Sequence, residues 1–417
     1  MKHRLWQIFG PVLLAAILVL GLLLAPLRFG NFSKSQMRSA AVSLSPNVIG
    51  GERIKKQALN ENYVPFIGSS ELARLDSFHP SILAEKYHRS YRPLLIGHAG
   101  TQSLVNFADD QTMMHQLRHK KVVLIISLQW FTKQGQDPDA FDFYYSPMQM
   151  IQFILNAKNT VADRYAARRF LLMNAPSKDF QIKQALYAVS AGQPISSAQR
   201  NMLSARFRVL ENEDALFSPF SLNSMNGKID NAKKTLPDGH PSYKQLDKVA
   251  YREGESHTTN NKLGIDDKFY STQLKKQVKG LKGSQTDFDY RYGNEYSDFE
   301  LLLNQFAKND VDVQFVIPPV NKKWSNYTGL PMGMIKQSTY KVKKQLHDQG
   351  FNNVLDLTQR GGEKYFMEDT IHIGWRGWLA MDKVVNPFLT KKQKPVHYHM
   401  SNYYYSRGWR NSQPWNK

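Results

Sequence analysis

Residues 63–75, which read YVPFIGSSELARL, set the pattern for the rest of the chain. A short apolar run ends at Gly68, two serines follow, and a helix-forming pattern begins at Glu71, which predicts a strand, a tight turn and a helix. Gly68 relieves the steric limit at the turn. Ser69 or Ser70 would then lie beside the unpaired, partly positive N–H groups that begin the helix. Such a serine has two interpretations: a helix cap, or a nucleophile whose oxyanion finds donors already in place.

Four further apolar runs alternate with helical patterns along the chain, at residues 91–96, 122–128, 311–317 and 353–357. This alternation predicts an α/β fold with an open, mostly parallel sheet and helices on both faces. The run at 122–128, VVLIISL, is apolar throughout, as in a strand buried on both sides. Active sites of such sheets collect at the carboxyl ends of the strands. The segments predicted to lie there are 68–70, 97–100, 129–130 and 318–321.

A second candidate element is Asp369-Thr370-Ile371-His372, which places an acid three residues before a histidine. In a turn, this spacing lets the carboxylate hold one imidazole nitrogen while the other takes a proton from a serine. The alternative is that Asp369 caps a helix and His372 is an ordinary histidine. His115 and His119 have the spacing of a zinc helix, but Gln116 stands where that motif needs Glu, so the sequence predicts no metal and no cofactor.

The charge of the chain is strongly positive, at +20 for 417 residues. Such a field attracts polyanions, among them nucleic acid, anionic lipid headgroups and a phosphate-rich wall polymer. The chain has no cysteine, which excludes disulfides, thiol nucleophiles and thiolate metal sites.

Residues 5–27 carry no charged side chain and predict a helix that spans a membrane. A cleaved signal peptide is the alternative, but the sequence lacks a clean small-x-small cleavage site, which favours an uncleaved anchor. Positive residues flank both sides, so their count does not decide the orientation. The very short leading tail favours a signal-anchor with the remainder outside the cell, which disfavours nucleic acid as the polyanion.

The pattern divides the chain into six predicted parts. These are an anchor at 1–30, a lead-in at 31–60, the first part of the α/β domain at 61–146, a helical insertion with a long surface excursion at 147–290, the second part of the domain at 291–390, and a basic aromatic tail at 391–417. The excursion is interpreted as covering a site or as solvated loop. The tail is interpreted as lying at a membrane interface or on a phosphate polymer, or as packing on the domain.

The order of the two elements, Gly68-Ser69-Ser70 early and Asp369-x-x-His372 near the end, resembles the SGNH, or GDSL-type, hydrolase superfamily. The resemblance implies an SGNH-hydrolase-like, flavodoxin-like sheet. It implies Ser70 as the nucleophile, His372 as the base and Asp369 as the acid that orients it. Ser69 stands where the superfamily commonly has Asp.

The oxyanion donors of that superfamily match this sequence less closely. A glycine N–H after the second strand corresponds to Gly97 or Gly100. An Asn side chain usually follows the third strand, where this chain has Gln129. The backbone N–H of Ser70 is the donor that depends least on the match.

A closer resemblance covers nearly the whole chain. The N-terminal apolar segment, residues 66–72 (FIGSSEL), the helical insertion and residues 368–375 (EDTIHIGW) resemble the DltD family of D-alanyl transfer proteins of Gram-positive bacteria. The resemblance implies a role in adding D-alanine esters to lipoteichoic acid. The implied partners are a membrane O-acyltransferase and a D-alanyl carrier protein, and the implied location is the outer side of the cell membrane.

The resemblance implies a mechanism in which Ser70 attacks a D-alanyl ester or thioester and His372 then activates a polymer hydroxyl or water. Transfer to the polymer is the favoured interpretation, and hydrolysis is its rival. A non-catalytic anchor for the carrier protein or the polymer is another alternative. A wall-glycan O-acetyl esterase is a third.

Overall fold

The computed structural model describes residues 2–24, 30–218, 224–393 and 395–416. Its strands are β1 Tyr63–Ile67, β2 Arg92–Ile96, β3 Lys121–Ile125, β4 Asp312–Ile317 and β5 Val354–Asp356. Its longer α-helices and single α-helical turns, in chain order, are α1 Lys2–Leu24, α2 Lys34–Ser43, α3 Pro46–Gly50, α4 Arg53–Asn60, α5 Pro80–Lys86, α6 Ser103–Asp110, α7 Met114–Leu117, α8 Pro138–Tyr144, α9 Pro147–Asn156, α10 Val161–Leu171, α11 Asn174–Lys178, α12 Phe180–Ser190, α13 Ser197–Phe217, α14 Asn226–Lys233, α15 Tyr243–His257, α16 Asp267–Phe269, α17 Glu295–Lys308, α18 Lys322–Thr328, α19 Met332–His347, α20 Trp375–Thr390 and α21 Arg407–Arg410.

The five strands of the described residues form one parallel sheet in the order β2-β1-β3-β4-β5. The predicted α/β class is therefore confirmed, and the order is the flavodoxin-like one. All strands are parallel, but the direction in which successive strands are added to the sheet reverses between β1 and β3. Ligand sites of such sheets lie outside the carboxyl ends of the strands at that point. The narrower assignment to the SGNH superfamily stays a prediction.

Apolar side chains cover both faces of the sheet, because successive strand residues point to opposite sides. Leu124 and Phe315 belong to one buried cluster, which α6, α9, α10, α12, α17 and α19 cover. Val123 and Val316 belong to a second cluster, covered by α5, α15 and α20. Helices therefore lie on both faces, as predicted, and the central strands contact water on neither.

The predicted helical insertion packs into the first cluster. Ile151 of α9, Phe170 of α10 and Ile182 of α12 are buried in the same cluster as Phe315 of the sheet. Phe131 also lies in this cluster, after β3. The six-part division of the chain stays a prediction.

Part of the predicted surface excursion is helical and packed rather than solvated. Leu246 and Ala250 of α15 are buried against Trp378 of α20 on the second face. They lie four residues apart, so they share one helix face. The polar composition of the surrounding residues hides this short apolar stripe in the sequence.

The helix predicted after Ser70 is shorter than expected. The structure has one 3-10 turn over Ser70–Ala73, and the next helix is α5. Contacts distant in sequence hold the residues between them: the Arg74 guanidinium lies 2.8 Å from a carboxylate oxygen of Asp369. The helix predicted to follow the two serines is therefore wrong beyond this single turn.

The C-terminal tail packs on the domain, which is one of the two interpretations offered for it. Tyr404, Tyr405 and Trp409 are buried in the first cluster. The Lys341 ammonium of α19 donates hydrogen bonds to the backbone carbonyls of Arg410 and Ser412, at 3.0 and 3.1 Å. The interpretation of these aromatic residues as a membrane or polymer contact is not supported.

The predicted membrane span at 5–27 is not confirmed. The structure has a 23-residue helix, α1, over Lys2–Leu24, and residues 25–29 lie outside the described residues. Among the described residues, no helix is both long and apolar enough to cross a membrane.

Candidate active site

The turn after β1 points its two serines in different directions. The Ser69 hydroxyl donates to the carbonyl of His98 at 2.8 Å, and its N–H donates to the Glu71 carboxylate at 2.6 Å. Ser69 is buried, whereas Ser70 is partly exposed. Ser69 therefore uses its hydroxyl and its N–H in hydrogen bonds of the turn, whereas the Ser70 hydroxyl is available to react.

Two glycines allow this turn to lie close to the loop after β2. A side chain on Gly97 would collide with the carbonyl of Gly68, and the φ of Gly97 is +142°, which favours glycine. A side chain on Gly68 would collide with the Glu71 carboxylate. Thr101 fixes the approach, because its hydroxyl donates to the Gly68 carbonyl at 3.0 Å.

The segment with the acid and the histidine is a tight antiparallel turn before α20. Met367 and Ile373 form a β-bridge, and the Glu368 N–H donates to the His372 carbonyl at 2.9 Å. One oxygen of Asp369 accepts the N–H groups of Ile371 and His372, at 3.0 and 2.9 Å. This oxygen of Asp369 therefore holds the turn and does not cap a helix, since the N-cap of α20 is Gly374, while the other oxygen is available to the imidazole.

Three side chains distant in sequence form a continuous hydrogen-bonded relay. The distance from Ser70 Oγ to His372 Nε2 is 2.7 Å, and the distance from His372 Nδ1 to Asp369 Oδ2 is 2.7 Å. With a carboxylate at Nδ1, that nitrogen donates its proton, which leaves Nε2 to accept the serine hydroxyl. The structure thus brings the three predicted residues together in the order that acyl-transfer chemistry requires.

Burial isolates the acid end of the relay from water. Asp369 is 0% exposed and His372 is 7% exposed. Burial by itself raises the pKa of Asp369, but the charge and hydrogen bond of His372, together with Arg74, lower the pKa below its usual value. The carboxylate therefore stays ionised at neutral pH and can stabilise an imidazolium.

Arg74 is a participant that the sequence analysis missed. Its guanidinium lies 2.8 Å from Asp369 Oδ2, the same oxygen that His372 contacts, and 3.5 Å from a Glu368 oxygen. The ring of Phe269 lies 5.0 Å from the guanidinium carbon. Arg74 is in the opening stretch, four residues after Ser70, but no local pattern pairs it with an acid so distant in the chain.

Glu368 is a second missed participant, beside the predicted acid. Burial raises the pKa of Glu368 to about 7; the charge of Arg74 opposes this rise, while the charges of Asp369 and Asp266 add to it. An acidic residue next to the Asp-x-x-His motif was visible in the sequence, but its burial was not. The group titrates close to neutral pH.

Asn321 joins the end of β4 to the relay. Its amide donates to the Asp369 carbonyl at 3.2 Å and to the Leu263 carbonyl at 3.3 Å. Its side-chain oxygen accepts the N–H groups of Lys323 and Trp324 and so caps α18. The predicted position of this segment, at the carboxyl end of a strand, is confirmed, and its role in holding the acid turn is new.

The oxyanion donors stay a prediction. The Ser70 N–H begins the 3-10 turn and so has no acceptor within that turn. Gly97 is buried, Gly100 is exposed, and Gln129 is half-buried in the 3-10 turn Leu128–Trp130. Within the described ranges, Gly100 and Gln129 make no hydrogen bond to Ser70, His372 or Asp369.

Among the residues that the structure describes, no three His, Asp or Glu side chains form a group that could hold a metal ion.

Fold and site together define a class: an α/β protein with a parallel sheet and a Ser-His-Asp relay at the carboxyl edge. The model of the DltD protein family matches residues 41–390. Protein DltD of Lacticaseibacillus rhamnosus is 48% identical over 97% of this chain and 96% of its own length. Protein DltD of Bacillus subtilis (strain 168) is 33% identical over 93% and 98%, and that of Staphylococcus aureus (strain NCTC 8325 / PS 47) is 28% identical over 93% and 97%. The chain belongs to the DltD family, whose members are involved in the D-alanylation of teichoic acid.

Proposed function

We propose that the chain is a serine acyltransferase of the SGNH type that moves D-alanyl groups onto lipoteichoic acid. The observation that carries the proposal is the 2.7 Å contact between Ser70 Oγ and His372 Nε2, two residues 302 positions apart. A helix cap needs no such partner. A second contact of 2.7 Å, from His372 to Asp369, completes the arrangement that activates a serine.

In the first step, Ser70 Oγ attacks the carbonyl carbon of a D-alanyl ester or thioester. The hydroxyl proton passes to His372 Nε2, and Asp369 stabilises the resulting imidazolium. The tetrahedral oxyanion forms beside the free Ser70 N–H. When this intermediate collapses, the alcohol or thiol leaves with the proton from His372, and the D-alanyl group remains as an ester of Ser70.

In the second step, a hydroxyl of the polymer approaches His372 and loses its proton to Nε2. Its oxygen attacks the acyl-serine carbonyl, and Ser70 regains the proton as the new ester leaves. Water in place of the polymer gives hydrolysis, which is the second candidate function and uses the same relay. The partial exposure of Ser70 admits either acceptor.

The donor and the location belong to the same proposal. A D-alanyl carrier protein and a membrane O-acyltransferase would supply the acyl group, and the site would face the outside of the cell, where the polymer is. A fluorophosphonate that cannot cross membranes tests the location: it should label Ser70 on intact cells. Labelling only after lysis would contradict it.

The roles of the two serines give a matched test. Ser70→Ala should abolish both fluorophosphonate labelling and turnover of D-alanyl thioesters. Ser69→Ala is the control, because its hydroxyl bonds the His98 carbonyl and not His372; it should still be labelled. Unchanged turnover by Ser70→Ala would overturn the proposal and favour a non-catalytic anchor. Adding polymer separates the two candidate reactions, since transfer yields alanylated polymer and hydrolysis yields free D-alanine.

A further inference from the structure

A strongly charged surface lies beside the relay and plays no part in it. Residues 260–285 contain six lysines against two acids, Asp266 and Asp267. All six lysines are exposed. We call them the lysine strip: Lys262, Lys268, Lys275, Lys276, Lys279 and Lys282.

The charge of the strip is not neutralised by the protein. Across the described ranges, none of the six lysines forms an ion pair, whereas other lysines do, as in Lys56–Glu52, Lys86–Asp238 and Lys344–Asp348.

The two acids of the segment are engaged locally. Asp266 accepts the N–H of Phe269, and Asp267 accepts hydrogen bonds from Thr259 and Asn260. The six ammonium groups are therefore free to meet an external anion.

The start of the strip is fixed to the active site. The Asp266 N–H donates to the Glu368 carbonyl at 2.7 Å, one residue before the acid of the relay. The ring of Phe269 lies under the Arg74 guanidinium. Asn321 joins the Leu263 carbonyl to the Asp369 carbonyl. The strip therefore begins at the rim of the site.

The remainder of the strip is held against α18. Leu274 packs with Trp324 in a small apolar cluster, and the Tyr327 hydroxyl donates to the Val278 carbonyl at 2.9 Å. Lys322 and Lys323, both exposed, add charge at the start of α18. The lysines thus lie on an ordered surface that extends from the relay across this helix.

We propose that the lysine strip binds the phosphodiester backbone of an anionic polymer and presents a hydroxyl of that polymer to the acyl group on Ser70. This inference rests on the proposed function, because it assigns the acceptor site of the same reaction. Ammonium groups bind phosphates as point charges. Several exposed ammonium groups along one segment fit repeated phosphates of one chain, whereas a single phosphate would need several donors converging on one point.

The test measures binding of a labelled, unacylated glycerol-phosphate oligomer to the full chain by fluorescence anisotropy. The strip variant is K268Q/K275Q/K276Q/K279Q. The matched control is K133Q/K158Q/K178Q/K308Q, which removes the same charge from four exposed lysines outside the strip. The strip variant should bind the oligomer at least about tenfold more weakly. The slope of log K against log salt concentration should become shallower by up to about 0.7 for each phosphate contact that is lost. The affinity of the control variant for the oligomer should change by less than about twofold.

Equal losses in the two variants would overturn the inference, because net charge alone would then explain binding. No loss in either would overturn it as well. If the strip variant lost binding to anionic lipid vesicles but kept the oligomer, the surface would belong to the membrane instead. Acetylation footprinting gives a second measurement on the unmutated chain: the oligomer should protect the strip lysines and not Lys133 or Lys158.

Fluorophosphonate labelling separates this inference from the proposed function. The strip variant should label at Ser70 as fast as the unmutated chain, since no strip lysine contacts the relay. If the unmutated chain were not labelled, the acyl-serine step of the proposed function would be contradicted, whereas the result on polymer binding would stand.

Discussion

Asp369 and Glu300 are both buried carboxylates with 0% exposure, yet their ionisation is opposite. One oxygen of Glu300 accepts the side-chain amides of Gln345 and Gln349, at 3.0 and 2.8 Å. Burial outweighs these two donors and raises the pKa of Glu300 to about 8. Asp369 has charged partners in addition to backbone donors, and its pKa falls.

The comparison shows that burial does not itself produce a catalytic acid. Neutral amide donors offset only part of the desolvation of Glu300, so this group is protonated at neutral pH. An imidazole and a guanidinium on one oxygen of Asp369 keep that carboxylate ionised. Arg74 therefore accounts for part of the difference between the two sites, and substitutions at three positions test the comparison.

The largest effect is expected from removing the charge of Asp369. Asp369→Asn keeps the shape of the side chain, but its amide cannot hold the Nδ1–H tautomer of His372. We expect kcat/KM for D-alanyl thioesters to fall by about 10⁴-fold. Steady-state kinetics measure this, and circular dichroism checks that the variant folds. A loss of less than tenfold would show that the acid does not orient the base.

An intermediate effect is expected at Arg74, which acts through Asp369 and is a positioning residue. Arg74→Gln removes the guanidinium that lies 2.8 Å from Asp369 Oδ2, and should lower kcat/KM by roughly 10- to 100-fold, which is about 1.4–2.7 kcal/mol of barrier. Since Arg74 opposes the rise in the pKa of Glu368, that pKa should rise further above 7.

The pH profile and a conservative variant separate positioning from a structural role. Carbon-13 NMR of labelled glutamate follows the Glu368 titration, which should move to higher pH in Arg74→Gln. Arg74→Lys should recover part of the activity, because lysine restores the positive charge but cannot contact Glu368 and Asp369 through two separate nitrogens, as the guanidinium does. An unchanged Glu368 titration, with activity lost and not recovered by lysine, would indicate damaged packing only.

The smallest effect on activity is expected at Glu300, where the change is in stability. The pKa of Glu300 is raised in the folded state, so stability is lost as pH rises from the unfolded value near 4.3 to about 8. Glu300→Gln removes this loss and should stabilise the fold by about 4–5 kcal/mol at pH 8, with little change at pH 4. Differential scanning calorimetry at both pH values measures it. A variant that is less stable at pH 8 would contradict the assignment.

The sequence revealed what depends on local pattern. The apolar runs located the five strands found in the described residues, and Gly68-Ser69-Ser70 with Asp369-x-x-His372 located the relay. It could not reveal Arg74, because the guanidinium meets its acid only through the fold. The same holds for the shortened helix after Ser70, where a distant carboxylate overrides local helix propensity. The aromatic tail was ambiguous for a similar reason, since Lys341, which holds it, lies on a separate helix.

The charge of the chain was visible from the start, but its arrangement was not. A net charge of +20 fits any polyanion. The structure separates the lysines that pair with acids from the lysine strip. The contacts of Asp266, Phe269 and Asn321 place that strip beside the relay.

The most direct test of the central claim is mass spectrometry of the chain quenched during turnover of a D-alanyl thioester. The account predicts an adduct with the mass of one D-alanyl group on the peptide that contains Ser70. The adduct should persist in Ser69→Ala and disappear in Ser70→Ala. An adduct on a different residue, or undiminished turnover by Ser70→Ala without an adduct, would contradict the account.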